Sequence, residues 1–521
     1  LVGSEMCIRD RCSITVKHEK DGFHSRKKNI CNRTVVFYGQ VRQAMNTKDI
    51  SFNLLSFPLA GERKETVMEH TVETTKNPLA EEKIGKLIVR FAIPAIISML
   101  VSSLYNIVDQ IFIGQGVGML GNAATNIAFP LSMMCTAIAL MFGIGGASSF
   151  NLHMGAGESQ KAPYFLGNSI TMLLGLGAIL FIGTELFLDP MLKCFGSPDN
   201  VLPLAKQYVS ITAIGFPFLI ITIGGGHLIR ADGSPKMTMI CNLSGAIINI
   251  VLDALFVLVL RWGMVGAALA TIIGQIFSAF LALNYLRHYR TVTIEKKHLR
   301  PQTVYLKRIM ALGMASCFNQ IAMMTVQICM NNLLKHYGSL SQYGEAIPIA
   351  CAGIVMKVGQ LYFSIVIGLS QGSQPIESFN YGARQYKRVK AAYRYAVIAG
   401  GTVSVIAFVI FQLFPHQLLA LFGNGSKEYF EFGSFYFRIF MLMAWANFMQ
   451  PISSTFFTSI GKANKGTFLS LTRQIIFLLP LMFFLPTIFG IKGILYAAPI
   501  ADSMAFVTAV VMVWSEMRAM K

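Results

Sequence analysis

From Leu87 to Trp514 the chain passes through one apolar stretch after another, each about 20 residues or longer, with the charge gathered in the loops between them. An α-helix of about 20 residues spans roughly the 30 Å of a bilayer's hydrocarbon core. With 54% hydrophobic and 13% charged residues, the composition excludes disordered, collagen-like and coiled-coil chains. It also excludes a string of water-soluble domains. The chain reads as an all-α polytopic membrane protein.

Apolar windows punctuated by Gly, Pro and charge place twelve spans near 87–113, 122–148, 165–188, 207–228, 237–260, 264–286, 305–333, 347–370, 391–414, 432–456, 466–488 and 493–515. This divides the sequence into residues 1–67, 68–286 with spans 1–6, a basic linker at 287–304, and 305–521 with spans 7–12. Residues 1–67 are polar and offer neither a span nor a signal-peptide pattern. They are expected to be a disordered or artefactual extension, with the natural start at Met68.

The net charge of +19 does not point to nucleic acid, because the basic residues sit in short loops rather than on one soluble face. Lys161, Arg230, Lys236, the linker, Arg384 to Lys390, Lys462 and Lys465 fall in the even-numbered loops or beside them. The positive-inside rule then places both termini in the cytoplasm of a multi-pass protein of the cell (inner, plasma) membrane. Cysteines lie singly, without disulfide or zinc-ligand spacing.

The halves resemble each other. Gly143-Ile-Gly-Gly and Gly157-Glu-Ser-Gln160 are answered by Gly368-Leu-Ser-Gln and Gly382-Ala-Arg-Gln385, an offset of 225. Gly233 is answered by Gly461, and Gly263 and Gly266 by Gly490 and Gly493, at 227 to 228. Six spans per copy give parallel repeats about an axis along the membrane normal, an arrangement that commonly encloses a central cavity. The expected fold is two pseudo-symmetric six-helix lobes.

Carboxylates inside spans cost at least about 2.5–3.5 kcal/mol on insertion scales, so each asks for a partner, water or a function. Three stand out: Asp109 in span 1, Asp253 in span 5 and Asp502 in span 12. Asn249 and Asp253 are four apart and share a helix face, and Thr271 follows on the next span. With Asp109 they offer the oxygen ligands that hard cations prefer, and two close carboxylates readily hold one proton between them. The competing reading is that Asn249 or Thr271 caps Asp253 and merely locks the bundle. Asp502 with Gln320 is a candidate polar site in the second half. Glu377, Arg473, His227 and Arg230 read as interfacial groups or loop anchors. Enzymatic motifs are missing: there is no H-E-x-x-H, nucleophile elbow or Walker A.

Together these residues resemble the multidrug and toxic compound extrusion (MATE) family, prokaryotic branch. The matching pieces are Pro94 with Tyr105-x-x-x-Asp109, Arg230-Ala-Asp-Gly233, Asn249-Ile-Val-Leu-Asp253-Ala-Leu-Phe, Gly263-Met-Val-Gly266-Ala-Ala-Leu-Ala-Thr271 and Asn380-Tyr-Gly-Ala383. The resemblance runs from about Lys83 to the C-terminus. It implies a secondary antiporter in which entering Na⁺ or H⁺ drives export of organic, often cationic, small molecules. No other cofactor is implied, no nucleic-acid partner, and a monomer in the bilayer. It assigns cation coupling to Asp109, Asn249, Asp253 and Thr271, which would hold Na⁺ if sodium is the coupling ion, with Tyr105 nearby and a helix bend at Pro94. The glutamate that other branches carry in span 7 is absent here, since Met310 to Asn332 holds no acidic residue and offers amides such as Asn319, Gln320 and Gln327 instead. The rival functions are a lipid-linked oligosaccharide flippase of the same superfamily and, more remotely, an intramembrane enzyme.

Overall fold

The computed structural model describes residues 78–520, apart from 196, 198, 200, 345 and 422–425. The expectation for residues 1–67 lies outside the described residues. The long apolar stretches form helices, with one exception at 432–456, because backbone groups that water cannot reach must be satisfied within the protein. The first half comprises α1 (Ile84–Gly116), α2 (Met119–Gly155), α3 (Ala162–Leu186), α4 (Leu202–Ile214), α5 (Phe216–Ala231), α6 (Pro235–Asp253) and α7 (Gly263–Arg287). The second comprises α8 (Thr303–Ser339), α9 (Ala346–Gly382), α10 (Tyr386–Leu413), α11 (Lys427–Phe440), α12 (Met449–Ser459), α13 (Ala463–Leu471) and α14 (Ile491–Ala519). Among the described residues there is no strand.

Among the described residues ten helices are long and apolar enough to cross a membrane, α13 counting with the helical residues that continue it to Phe489, and α4 with α5 makes an eleventh crossing bent by 53°. The bend falls at Gly215-Phe216-Pro217, where the proline ring removes a ladder hydrogen bond. The expected span at 432–456 is not continuous. Residues 441–448 form turns between α11 and α12, and Pro451 in the first turn of α12 has no N–H to return to Asn447. Tyr362 takes up part of the loss by donating its hydroxyl to the Ala444 carbonyl at 2.9 Å.

The internal repeat is visible in the helices. α2 and α9 are both 37 residues long, and their ends contact one another reciprocally. A Cβ added to Gly155 would lie 2.0 Å from the Phe379 carbonyl oxygen, and one on Gly382 would lie 2.1 Å from that of Leu152. Both pairs are related by an offset of 227, which corrects the offset of 225 read for this loop from the sequence: Gly155, and not Gly157, answers Gly382. Likewise Gly145 of α2 abuts Ile309 of α8 and Gly313 abuts Met141, while Gly368 and Gly372 of α9 receive Ile96 and Ala92 of α1. Small residues at these crossings let backbones approach closely, which supports packing where lipid supplies no hydrophobic drive.

These crossings lie toward the face that carries the linker. So do the hydrogen bonds joining the halves. Gln374 donates to Ser148 Oγ at 2.8 Å, Arg230 to Gln371 Oε1 at 3.0 Å, and the Ser103 and Ser364 hydroxyls are 2.6 Å apart near mid-bundle. Arg388 and Asn380 also donate to the carbonyl of Leu79, ahead of α1. On the same face Asp232 accepts the backbone N–H groups of Arg290 and Thr291 and anchors the linker.

Candidate functional site

Asp109 stands two turns from the end of α1, on the side away from the linker. Asp253 closes α6, where the helix passes into a π turn at Ala254–Val259. Such turns widen the ladder by one residue and recur at functional sites. The antiparallel run of α6 and α7 brings Thr271 opposite Asn249, whose amide donates to the threonine hydroxyl at 3.4 Å. The Asp109 and Asp253 carboxyl groups face each other within reach of a shared proton. Tyr105, one turn before Asp109, looks onto the same pair. Five residues separated by up to 166 positions thus converge in one place.

The pair is poorly satisfied. Asp253 is fully buried, and no hydrogen bond of ordinary geometry reaches either of its oxygens, Asp109 Oδ1 or Asn249 Oδ1. Among the described residues no lysine or arginine forms an ion pair with either carboxylate. Enclosed oxygens without donors are costly when charged. Their chemistry is acceptance: they suit a proton shared between two carboxyls, or a small hard cation ringed by carboxylate, amide and hydroxyl oxygens. Asn249 is turned toward Thr271 and does not cap Asp253 with a normal hydrogen bond, so the structural-lock reading has no such bond behind it.

Sequence reasoning missed two neighbours. Tyr208 of α4 reaches Thr271 and lies beside Asp109, Asp253 and Tyr105. It also lines, with Thr271, Gln275 and Ser132, an internal cavity of about 40 Å³, room for about one water. Gln275 sits one turn beyond Thr271, with its Oε1 unpartnered. The periodicity of α7 could have flagged Gln275; nothing in the sequence around Tyr208 distinguishes it from an ordinary span tyrosine.

Pro94 lies inside α1, which runs unbroken through it as one helix of 33 residues. The bend expected there is not a break in the helix, and the carbonyl four residues earlier loses its usual donor. Ser98 hydrogen-bonds the Pro94 carbonyl at 2.8 Å.

In the second half, Asp502 and Gln320 do not meet. Asp502 accepts from Arg473 Nε at 2.5 Å and Asn447 Nδ2 at 2.8 Å, so it is a neutralised, satisfied group. Gln320 instead points its amide at Met133 Sδ of α2, 3.7 Å away. Four residues read as interfacial or as loop anchors lie deeper than expected. His227 and Arg230 are buried at the seam between the halves, Glu377 is buried beside Ser373 and Ser459 within the second half, and Arg473 is held against Asp502. The cause is α9 and α5, which pack their last turns against α2 and one another instead of opening to the interface.

Two like halves, crossed closely at one face and holding unpaired polar oxygens nearer the other, form the body of a membrane transporter. A MatE family model matches residues 94–255 and 315–484, taking in both halves, and the chain belongs to that family of transporters. It is 24% identical over 432 residues to the multidrug export protein MepA of Staphylococcus aureus (strain MSSA476), covering 83% of this chain and 94% of the relative. It is also 24% identical to the MepA of Staphylococcus haemolyticus (strain JCSC1435), over 84% of this chain and 94% of the relative. Among solved structures, an outward-facing MATE family transporter of the MOP superfamily superposes with TM-score 0.79 at 22% identity, over 86% of this chain and 99% of the other. A MOP superfamily transporter from Pyrococcus furiosus, described as having a reversed binding-pocket polarity, superposes equally well at TM-score 0.79 and 22% identity, over 85% of this chain and 98% of the other.

Proposed function

We propose that the chain exports organic, often cationic, compounds across the cell membrane in exchange for entering Na⁺ or H⁺. The observation that carries this reading is the facing pair Asp109 and Asp253, enclosed and without cationic partners. The names of the staphylococcal relatives support multidrug export as the physiological direction. The loop charges support a cytoplasmic linker and cytoplasmic termini. On that orientation the tightly crossed face is the inner one, and the carboxylate pair lies toward the outside.

The coupling follows from elementary electrostatics. An entering cation neutralises the pair and lowers the cost of closing the surrounding cavity around apolar surface. A cationic substrate and the coupling cation compete for the same negative charge, each favouring a different arrangement of the halves. Differential affinity of two ligands for two states is sufficient for exchange. The oligosaccharide flippase calls for several buried basic groups within the spans; of those in spans 1, 10 and 11, Arg90 and Arg438 are exposed and Arg473 is committed to Asp502.

The test is dye efflux from proteoliposomes under an imposed Na⁺ gradient and, separately, an imposed pH gradient. Efflux driven by at least one gradient is expected. Dye movement indifferent to both would remove the antiporter reading.

A further inference from the structure

At the face carrying the linker, where the halves meet, there is an open cavity of about 450 Å³. Its polar wall is drawn from both halves: His153, Glu158 and Lys161 from the first, and Arg308, Tyr381 and Arg384 from the second. Its charge is unbalanced. Glu158 is already engaged by Lys161 at 3.1 Å and lies 3.8 Å from His153 Nε2. Arg308 and Arg384 are exposed and form no ion pair among the described residues, although the Arg308 charge also reaches Glu158.

Arg384 carries a second signal. Its φ is 57°, in the left-handed region that favours glycine. The equivalent position in the first half, at an offset of 227, is Gly157 with φ 78°. The same turn is therefore built twice, once with the residue suited to it and once with an arginine that holds a strained backbone while its side chain lines the cavity. Arg261 holds a similar φ of 56° away from this cavity, so what sets Arg384 apart is that its side chain lines the cavity.

We propose that this cavity binds a phosphate-bearing anion that bridges the two halves. Guanidinium groups pair with phosphate oxygens in forked geometry. The cavity falls within the roughly 300–1,000 Å³ of small-molecule sites, and inorganic phosphate alone would leave most of it empty, so the ligand class is a phosphate ester. Basic pockets at helix ends take phospholipid headgroups by the same chemistry that would hold a soluble ester.

The experiment titrates detergent-purified full chain with short-chain phosphatidylglycerol and, in a second arm, with glycerol 3-phosphate, reading binding by calorimetry. Saturable binding in either arm, weakened roughly tenfold or more in Arg308→Gln and Arg384→Gly and unchanged in Lys427→Gln, supports the site. The arm that responds identifies the source as lipid or soluble ester. Because Arg384→Gly relieves the left-handed backbone, its thermal midpoint should match or exceed that of the wild type, which separates lost binding from lost folding. Bound probe should also slow hydrogen exchange in both 141–156 and 379–389. No saturable binding in either arm, equal weakening in Lys427→Gln, or slowed exchange in one half alone would overturn the proposal.

Discussion

Two pairs of charged groups, each with one buried carboxylate, Asp253 and Asp502, respond oppositely to the same chemical change. Asp109 and Asp253 face each other without a cation, so replacing either by asparagine removes a repulsion and a desolvation cost. Gradient-driven efflux is expected to fall at least about tenfold in Asp109→Asn and Asp253→Asn, equivalent to roughly 1.4 kcal/mol or more of barrier, while the thermal midpoint holds or rises. Asp502→Asn leaves Arg473 held against an amide, and the loss of a buried ion-pair partner costs about 3–5 kcal/mol. Thermal unfolding would show that loss as a markedly lower midpoint. The first pair was legible in the sequence because a carboxylate inside an apolar stretch is rare enough to notice, and because Asn249 and Asp253 fall one helical turn apart. Tyr208 was not legible, since span tyrosines are common and its role depends on where α4 crosses α7. Glu377 and Arg230 were misjudged because nearness to a loop says little about burial when another helix end covers that loop.

At the scale of elements, the apolar stretches located eleven crossings, and their order followed from the punctuation. The segment at 432–456 was read as continuous because hydropathy does not register a run of turns whose backbone groups are satisfied by neighbours such as Tyr362. The close crossings were also only partly visible: the repeated glycines were evident, but not what they touch. At Gly145 and Gly313 an added Cβ would fall 2.0 and 1.8 Å from backbone oxygens of the other helix. Neither carbonyl can move aside as a side-chain tip could, so Gly145→Ala and Gly313→Ala should each cost about 1–3 kcal/mol through overpacking. They should also loosen the linker face. A cysteine placed at buried Gln374 in each background is expected to react faster with a polar thiol reagent than in the wild-type background.

At the scale of the whole molecule, the two halves meet along one face and through mid-bundle, and transport by alternating access requires that contact to open. Ser103 and Ser364 lie in its mid-bundle part, with hydroxyls 2.6 Å apart across the seam. Cysteines at both positions should form a bridge on oxidation; efflux should then stop and return on reduction, checked by dye release from vesicles. The duplication that makes this possible could be read from glycines at nearly constant offset, whereas the asymmetry between the halves required the three-dimensional arrangement: open acceptors at Asp253 in one, a closed ion pair at Asp502 in the other. The most direct measurement is dye efflux by wild-type and Asp253→Asn protein in matched proteoliposomes, with Na⁺ and pH gradients imposed in turn. The account predicts gradient-driven efflux by the wild type with at least one ion and none by the variant with either. Wild-type rates from Asp253→Asn under the driving gradient would contradict it.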